Sequence, residues 1–355
     1  MSQKNISDIF GNLHLNRFMQ RGLSLIPPVT IRSETSEGDL GENCYEFLLA
    51  EPYSTITGYF LENKYREIVP VDSESGLFLP TIKIAERTRT KDLIKIIEKD
   101  GVVIPSDGRI ITGSSENGER PLILFSIACF SLFVKFFHII LSKKREKTIT
   151  IRDLDYIDKV RRYEYNYTPS TGSSIRGNGD VPLTIESTGK FMVSGKLVDS
   201  IFGNISFRNG EDIYISESGS FLDDLDGHIV KVPLTGSIEC DRQPSSEIEV
   251  HRNIYSATNK KTVIHGHPLF TVILSLDCFS PDCDTLGNIP VVPGETGDGR
   301  YRIENSVPNV IHKSGSVIVR GHGIFCSGNT DFSQPLNRMV DIENYCREEY
   351  FRRLV

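Results

Sequence analysis

The sequence predicts an α/β protein in which helices and strands are interleaved along two separate domains. Runs of β-branched residues alternating with polar ones are typical of strands, and they recur between segments with the apolar spacing of helices. A polar segment rich in Thr, Ser, Gly and Pro, Tyr167–Asp180, divides the chain. We therefore expect an N-terminal α/β domain over residues 1–165, a linker over 166–184 and a second domain over 185–355.

Length and composition narrow the classes of function. A chain of 355 residues can form two domains, and a net charge of -7 argues against a nucleic-acid partner, which usually needs a basic surface. The seven cysteines are odd in number and scattered, and the start of the chain does not resemble a signal peptide. We therefore expect a reducing, cytoplasmic environment.

The N-terminal domain contains several short predicted elements. A weak helical pattern covers Asn5–Met19, and a strand-like run covers Asn43–Ala50. The helical period of Thr88–Lys99 ends before an Asp-Gly pair. Two predicted strands, Val102–Pro105 and Arg109–Thr112, flank a Ser-Asp-Gly turn.

The stretch Pro121–Leu141 is apolar and long enough to span a membrane. However, Lys135 and His138 interrupt it, and a central charge is costly in lipid. We expect a helix buried in a soluble core or subunit contact, without stable membrane association; a monotopic or single-pass protein is the alternative. The preceding Gly113–Gly118 fits a plain loop better than a phosphate loop, because no Lys follows it. A charged helix, Arg152–Arg162, comes next, and no function follows from residues 1–165.

The second domain continues the interleaved pattern. Its predicted strands are Asn204–Phe207, Asp212–Ile215, Ile229–Val232 and Val317–Arg320. A helix is predicted to start at Ser246, and a last helix to cover Asp331–Arg353 with charged residues on one face. The Gly- and Pro-rich segment Asp282–Gly299 is predicted to be a loop near the site.

Two histidines end the apolar run Thr262–Ile264. His265 and His267 are two residues apart, so in a strand both imidazoles project from the same face. His322 also follows a β-branched run, and Glu247 lies eighteen residues before His265. Three histidines and a carboxylate can form an open zinc site that leaves a position for water or substrate.

Other interpretations of these residues stay open. The histidines can be ordinary buried polar residues, unrelated to one another. His251 shares a helix face with Glu247 and could be a fourth ligand, although a packing or supporting role is favoured; Glu249 faces away. Ser245 and Ser246 at the predicted helix start could bind an anion or simply cap the helix.

Five short blocks, in a fixed order, carry a resemblance to a known family. They are Gly203–Arg208 (GNISFR), Ser216–Ser220 (SESGS), Pro244–Glu247 (PSSE) with His251, Ile264–Pro268 (IHGHP) and Arg320–Phe325 (RGHGIF). From about Ile185 onward the chain resembles the class II aldolase and adducin head-domain family, in particular its L-fuculose-1-phosphate aldolase-like enzymes. The resemblance implies an α/β/α sandwich around a mostly antiparallel sheet.

The resemblance also implies roles for ten residues. His265, His267 and His322 match zinc ligands, with Mn²⁺, Co²⁺ or Fe²⁺ as alternatives, and Glu247 matches the catalytic acid/base. The positions that match phosphate-binding residues are Gly203, Asn204, Ser218, Gly219, Ser245 and Ser246. The implied protein is a homotetrameric lyase that cleaves a small phosphorylated hydroxy-carbonyl compound by a retro-aldol reaction through a zinc-stabilised enediolate. An epimerase, a decarboxylase, a dehydratase and a non-enzymatic adducin-like module are the alternatives.

The chain departs from the family pattern in two places. Family aldolases have a Tyr shortly after the Ile-Pro pair that follows the histidine strand, whereas here Ile289-Pro290 is followed by no Tyr before Tyr301. We consider Tyr301, Tyr345 and Tyr350 as replacements. Arg320 precedes the Gly-His pair and could bind a substrate carboxylate or phosphate, or pair with an Asp.

Overall fold

The computed structural model describes residues 44–47, 49, 51–86, 89–114, 120–162, 180–199, 201–278, 285–294 and 302–355. The chain divides into two units, Met1–Asn166 and Tyr167–Val355. The predicted helix Asn5–Met19 lies outside the described residues.

The first unit contains a five-stranded sheet. Its strands are β1 (Cys44–Phe47), β2 (Glu67–Ile68), β3 (Ile82–Ala85), β4 (Val102–Pro105) and β5 (Ile110–Gly113), in the order β1-β5-β4-β3-β2. Its helices are α1 (Tyr53–Glu62), α2 (Ser73–Phe78), α3 (Thr90–Asp100), α4 (Arg120–Arg145) and α5 (Ile151–Arg161). Strands β3 and β4 are parallel and joined through α3, while the other neighbours are antiparallel. The prediction of a helix before two short strands is confirmed for α3, β4 and β5.

Helix α4 is the predicted apolar helix. Among the described residues it alone is long and apolar enough to cross a membrane, yet 72% of its most apolar window is buried inside the structure. Phe125 stacks on Phe47 with ring centroids 3.7 Å apart, and Phe136 meets Tyr59 edge to face. These contacts make α4 the core helix of its unit, as the sequence predicted.

The second unit contains an eight-stranded sheet. Its strands are β6 (Asn204–Asn209), β7 (Asp212–Ser216), β8 (Ile229–Pro233), β9 (Thr262–Gly266), β10 (Thr285–Leu286), β11 (Ile289–Val292), β12 (Ser316–Val319) and β13 (Gly323–Gly328). Their order is β10-β11-β12-β13-β9-β6-β7-β8, and only β11 and β12 are parallel neighbours among these strands. The mostly antiparallel sheet implied by the family resemblance is confirmed.

Helices cover both faces of this sheet. They are α6 (Val181–Ser194), α7 (Ile248–Ala257), α8 (Leu269–Leu276), α9 (Ile303–Ser314) and α10 (Ser333–Leu354). Ile254 of α7 and Val307 of α9 share one apolar core with Val317 of β12. Ser316 points to the opposite face, where it accepts a hydrogen bond from Arg338 of α10. The unit is therefore a layered α/β/α sandwich.

Two predicted boundaries and one predicted loop differ from the structure. Within the segment Asp282–Gly299, predicted to be a loop, β10 and β11 form an antiparallel pair at the edge of the sheet. Residues 181–184 of the predicted linker form the first turn of α6, because the Asp180 carboxylate accepts from the Leu183 N–H and Pro182 suits a first turn. The helix predicted to start at Ser246 begins at Ile248, with Glu247 at its N-cap position. Ser245 instead closes a turn in which its carbonyl accepts from the Ile248 N–H.

Candidate metal centre and active site

The two histidines of the H-G-H block lie at the end of a central strand. His265 is in β9, where it is paired with Asn204 of β6 on one side and Phe325 of β13 on the other. His267 follows the strand, and its N–H donates to the Leu197 carbonyl at 2.9 Å. Both side chains are buried, so the sheet fixes their positions.

His322 reaches the same point from a neighbouring turn. It lies between β12 and β13, after Gly321 with a φ of 67°. Its Nε2 is 3.0 Å from the Nε2 of His265, which is 2.8 Å from the Nε2 of His267. The structure thus brings together all three histidines that the sequence singled out as metal ligands.

The tautomer of His265 suits metal binding. Its Nδ1 lies 3.1 Å from the Ile324 carbonyl, which can only accept, so Nδ1 carries the proton and Nε2 presents a lone pair to the cluster. The ring stacks on Phe325 with centroids 4.1 Å apart, which restrains its orientation. The Nε2 atoms of His267 and His322 converge on the same point, and three buried imidazole nitrogens form a donor set that fits a divalent cation.

Two glycines allow the backbone to approach these rings closely. A Cβ on Gly323 would lie 2.5 Å from Cδ2 of His267 and 3.0 Å from Cε1 of His265. Gly203 has a φ of 78°, and a Cβ there would lie 2.7 Å from the His265 carbonyl oxygen. The Gly of two family-like blocks is therefore needed to make room for the cluster.

Glu247 completes the cluster. Its carboxylate oxygens are 3.1 Å from Nε2 of His322 and 3.6 Å from Nε2 of His265, and one of them accepts from the Asn204 amide at 2.6 Å. Burial alone raises the pKa of Glu247, but the two imidazoles and the Asn204 amide outweigh it and hold the pKa well below its usual value. These contacts favour the ionised form of Glu247.

The six predicted phosphate residues come from three neighbouring segments. Gly203 and Asn204 begin β6, Ser218 and Gly219 form the turn after β7, and Ser245 and Ser246 precede α7. The Ser218 N–H donates to the Gln243 carbonyl at 2.9 Å, and the Ser245 N–H donates to the Ser216 carbonyl at 3.0 Å. These backbone bonds hold the second and third segments together, and the exposed Ser218 and Ser246 face solvent.

His251 lies next to the cluster but is held by protein partners. Its Nε2 is 2.6 Å from Oδ1 of Asn204, and its Nδ1 is 2.6 Å from Oγ of Ser206. With both ring nitrogens engaged, His251 supports the site and is not a fourth ligand. Glu249 pairs with Arg252 at 2.9 Å, away from Glu247.

The tyrosines considered as replacements for the family Tyr, and Arg320, lie in different environments. Tyr350 is fully buried and packs on Phe270, so it is not placed to replace the Tyr that family aldolases have after the Ile-Pro pair. Tyr345 packs beside Gly287. Tyr301 lies outside the described residues. The Nε of Arg320 is buried and makes no hydrogen bond within the described part of the chain.

Glu343 of α10 is an important residue that sequence reasoning missed. Its carboxylate accepts from the N–H groups of Phe270 and Thr271 and from the Thr271 hydroxyl, at 2.8–2.9 Å. It therefore caps α8, the helix that starts two residues after His267. Glu343 was expected on a charged helix face, and only its 3.6-residue spacing with buried Met339 and Cys346 indicated burial.

The second half of the chain is similar to known proteins. Residues 184–350 match the family model described as Class II Aldolase and Adducin N-terminal domain. An L-fuculose phosphate aldolase of Methanococcus maripaludis is 28% identical over 157 residues, which cover 42% of this chain and 84% of the relative. One from Methanocaldococcus jannaschii is 35% identical over 75 residues, 21% of this chain and 41% of the relative. The crystal structure of L-fuculose-1-phosphate aldolase from Thermus thermophilus is 24% identical, with a TM-score of 0.43 over 49% of this chain and 94% of that one.

Proposed function

We propose that the C-terminal unit, whose residues 184–350 match the class II aldolase and adducin family model, is a metal-dependent lyase that cleaves a sugar phosphate by a retro-aldol reaction. The observation that carries the proposal is the convergence of three buried imidazole nitrogens with the ionised carboxylate of Glu247. The matching relatives named L-fuculose phosphate aldolase support a phosphorylated substrate.

His265, His267 and His322 hold the metal in this proposal. A borderline ion that accepts nitrogen ligands in an open site, with Zn²⁺ first and Mn²⁺, Co²⁺ or Fe²⁺ as alternatives, suits three imidazoles. When bound, the ion supplies a positive charge that offsets the negative charge developing on the substrate as the C–C bond breaks.

Glu247 moves the proton. As an ionised carboxylate it accepts the proton of the substrate hydroxyl whose oxygen becomes the aldehyde oxygen, and the C–C bonding electrons pass to the carbonyl fragment. One carboxylate oxygen of Glu247 accepts a hydrogen bond from the Asn204 amide. The other oxygen, which lies next to His322, takes the proton. The proton then returns to the carbon that received the C–C bonding electrons, which completes the carbonyl fragment.

The substrate phosphate binds on the adjacent surface. The hydroxyls of Ser218 and Ser246 are exposed there, and backbone bonds join their two segments. A phosphate at this position keeps the reacting carbons close to Glu247 and the histidines. We also propose that the protein is a homo-oligomer, a tetramer by resemblance. Light scattering should then give a mass about four times the chain mass of 39.9 kDa.

Metal content and substrate turnover test the function together. Full-length protein purified without a metal-binding tag should contain about one divalent ion per chain, and His267→Ala should lose it. The loaded protein should release dihydroxyacetone phosphate from L-fuculose 1-phosphate or another member of a ketose 1-phosphate panel. Absence of stoichiometric metal, with none taken up from added zinc, would contradict the lyase mechanism and favour a non-catalytic binding module.

A further inference from the structure

A chain of hydrogen bonds runs from the catalytic carboxylate into the core of the second unit. Glu247 meets Nδ2 of Asn204 at 2.6 Å, and Oδ1 of Asn204 meets Nε2 of His251 at 2.6 Å. Nδ1 of His251 meets Oγ of Ser206 at 2.6 Å, and that Oγ lies 2.7 Å from the hydroxyl of Tyr255. The four residues beyond Glu247 are at most 4% exposed, so water does not compete for these bonds.

Secondary structure sets up this chain. Glu247, His251 and Tyr255 are four residues apart, so they follow one face of α7. Asn204 and Ser206 are two residues apart in β6 and therefore point to the same face of the sheet. Because α7 packs on that face, the residues of the helix and the strand interleave.

The chemistry of the partners decides which atom donates each proton. The Asn204 amide nitrogen donates to a Glu247 oxygen at 2.6 Å, so the amide oxygen faces inward. That oxygen must accept from Nε2–H of His251. Burial lowers the pKa of His251 to about 3, so the ring is neutral and its Nδ1 accepts from the hydroxyl of Ser206.

The hydrogen bonds at Ser206 and Tyr255, farthest from Glu247, have the same donor-to-acceptor direction. The Ser206 hydroxyl proton is used on His251, so the hydroxyl of Tyr255 must donate to Oγ at 2.7 Å, with the Ser206 carbonyl as a second acceptor at 3.0 Å. Every donor then points toward the carboxylate, and each buried polar atom named here is satisfied.

We propose that His251 is a positioning residue, which holds the Asn204 amide with its nitrogen toward Glu247 and so keeps the carboxylate in place for proton transfer. Without the Nε2–H donor, the Asn204 amide is free to turn its oxygen toward Glu247, where two acceptors repel each other. The proposal rests on the proposed function, because the bond matters to the rate only if Glu247 transfers a proton.

Substituting Gln or Asn for His251 distinguishes the role of Nε2 from that of Nδ1. The nitrogen of a Gln at position 251 can occupy the place of Nε2 and donate to Asn204, whereas the shorter Asn reaches only the place of Nδ1. In zinc-loaded full-length protein, His251→Asn should lower kcat about 10- to 100-fold with KM little changed, and His251→Gln should recover most of the loss. Zinc content should be the same in both variants.

A control variant shows whether a loss of kcat is specific to the hydrogen bonds that join Glu247 to Tyr255. Thr188→Val removes another fully buried hydroxyl, which donates to the Thr184 carbonyl in α6, and should leave kcat at the wild-type value. If His251→Asn does not fold, Asn204→Asp replaces it, because it removes the amide donor at constant size and should also lower kcat. Equal kcat in the tested variant and wild type would overturn the proposal.

A spectroscopic measurement tests the same chain without relying on turnover. ¹⁵N NMR of histidine-labelled, zinc-loaded protein should show His251 as a neutral ring protonated at Nε2, assigned by the signal that His251→Gln removes. A ring protonated at Nδ1, or at both nitrogens, would overturn the positioning role while leaving the aldolase function standing. A wild-type protein that binds zinc but cleaves no sugar phosphate would instead overturn the proposed function, and the positioning role with it.

Discussion

At the scale of single residues, the site depends on which atoms carry protons. The Ile324 carbonyl directs the proton of His265 to Nδ1, and the Asn204 amide requires Glu247 to accept. Burial lowers the pKa of His267 well below its usual value, and the neighbouring imidazoles of His265 and His322 lower it further. Burial therefore favours the neutral form of His267, which is the form that the proposed metal site requires.

Replacing Glu247 should separate catalysis from metal binding. Glu247→Gln keeps the size of the side chain but removes the proton acceptor, so kcat should fall about 10²- to 10⁴-fold. Metal content, measured by mass spectrometry on the same preparation, should stay near one ion per chain because the three histidines remain. A variant that retains wild-type turnover would show that Glu247 is not the base.

Gly323→Ala should damage the cluster without touching a ligand. The added Cβ would approach Cδ2 of His267 to 2.5 Å, so the imidazole must move and zinc affinity should fall at least about tenfold. Competition with a chromophoric chelator measures the affinity. Gly58→Ala is the matched control, because a Cβ there meets nothing within 4 Å, and its zinc affinity should be unchanged.

At the scale of secondary-structure elements, the start of α8 depends on α10. Glu343 accepts the first free N–H groups of α8, which no residue of α8 can satisfy. Burial raises the pKa of Glu343, and the N–H bonds from Phe270 and Thr271 oppose that shift. The capped helix in turn restrains the short segment that carries His267.

Glu343→Gln should destabilise the second unit. An amide turned toward these N–H groups places donor against donor, so the free energy of unfolding should fall by about 1–3 kcal/mol. Urea unfolding followed by circular dichroism measures the change. Glu348→Gln, an exposed position on the same helix, is the control and should stay within about 0.5 kcal/mol of wild type.

The end of α10 should make stability depend on acidic pH. Hydrogen bonds from Arg352, and then Arg353, lower the pKa of Glu349 from 4.5 to about 2, despite partial burial. Since the folded-state pKa is depressed, the stabilisation is present above pH 4.5 and is lost as pH falls toward 2.

When the pH falls from 4.5 to 2, the free energy of unfolding should decrease less for Glu349→Gln than for wild type. The difference should be about 1 kcal/mol, because the Arg352 side chain is 73% exposed and solvent screens the pair. Unfolding at a series of pH values measures it, and Arg352→Gln should reproduce part of the change. Parallel pH profiles for wild type and Glu349→Gln would refute the assigned cause.

At the scale of the whole molecule, metal binding should stabilise one unit. Zinc that binds only the folded site adds about 2.7 kcal/mol at a free concentration one hundred times Kd, which corresponds to a rise in Tm of roughly 5–10 °C for a domain of this size. Calorimetry of chelator-treated and zinc-loaded full-length protein checks this. His322→Ala should abolish the rise, whereas His228→Ala, an exposed histidine paired with Glu217, should keep it.

Local pattern explains which elements could be predicted. The alternating runs of β6 to β9 and the period of α3 are long enough to show a repeat, so their residues were identified closely. Strands β2 and β10 have two residues each, too few for any period. Helix α1, rich in aromatic and β-branched residues with low helix propensity, was also not predicted, because packing on α4 stabilises it.

The sequence by itself determined the α/β class and the residues of the cluster, and the family resemblance implied the mostly antiparallel second sheet. Short-range spacing indicated that His265 and His267 share a strand end, and the order of the five blocks added Glu247 and His322. The tertiary structure decided how these groups are held: by the carbonyl of Ile324, the amide of Asn204 and, at the start of α8, the carboxylate of Glu343. Those partners lie 43 to 73 residues away along the chain, and no local periodicity relates residues that only packing brings into contact.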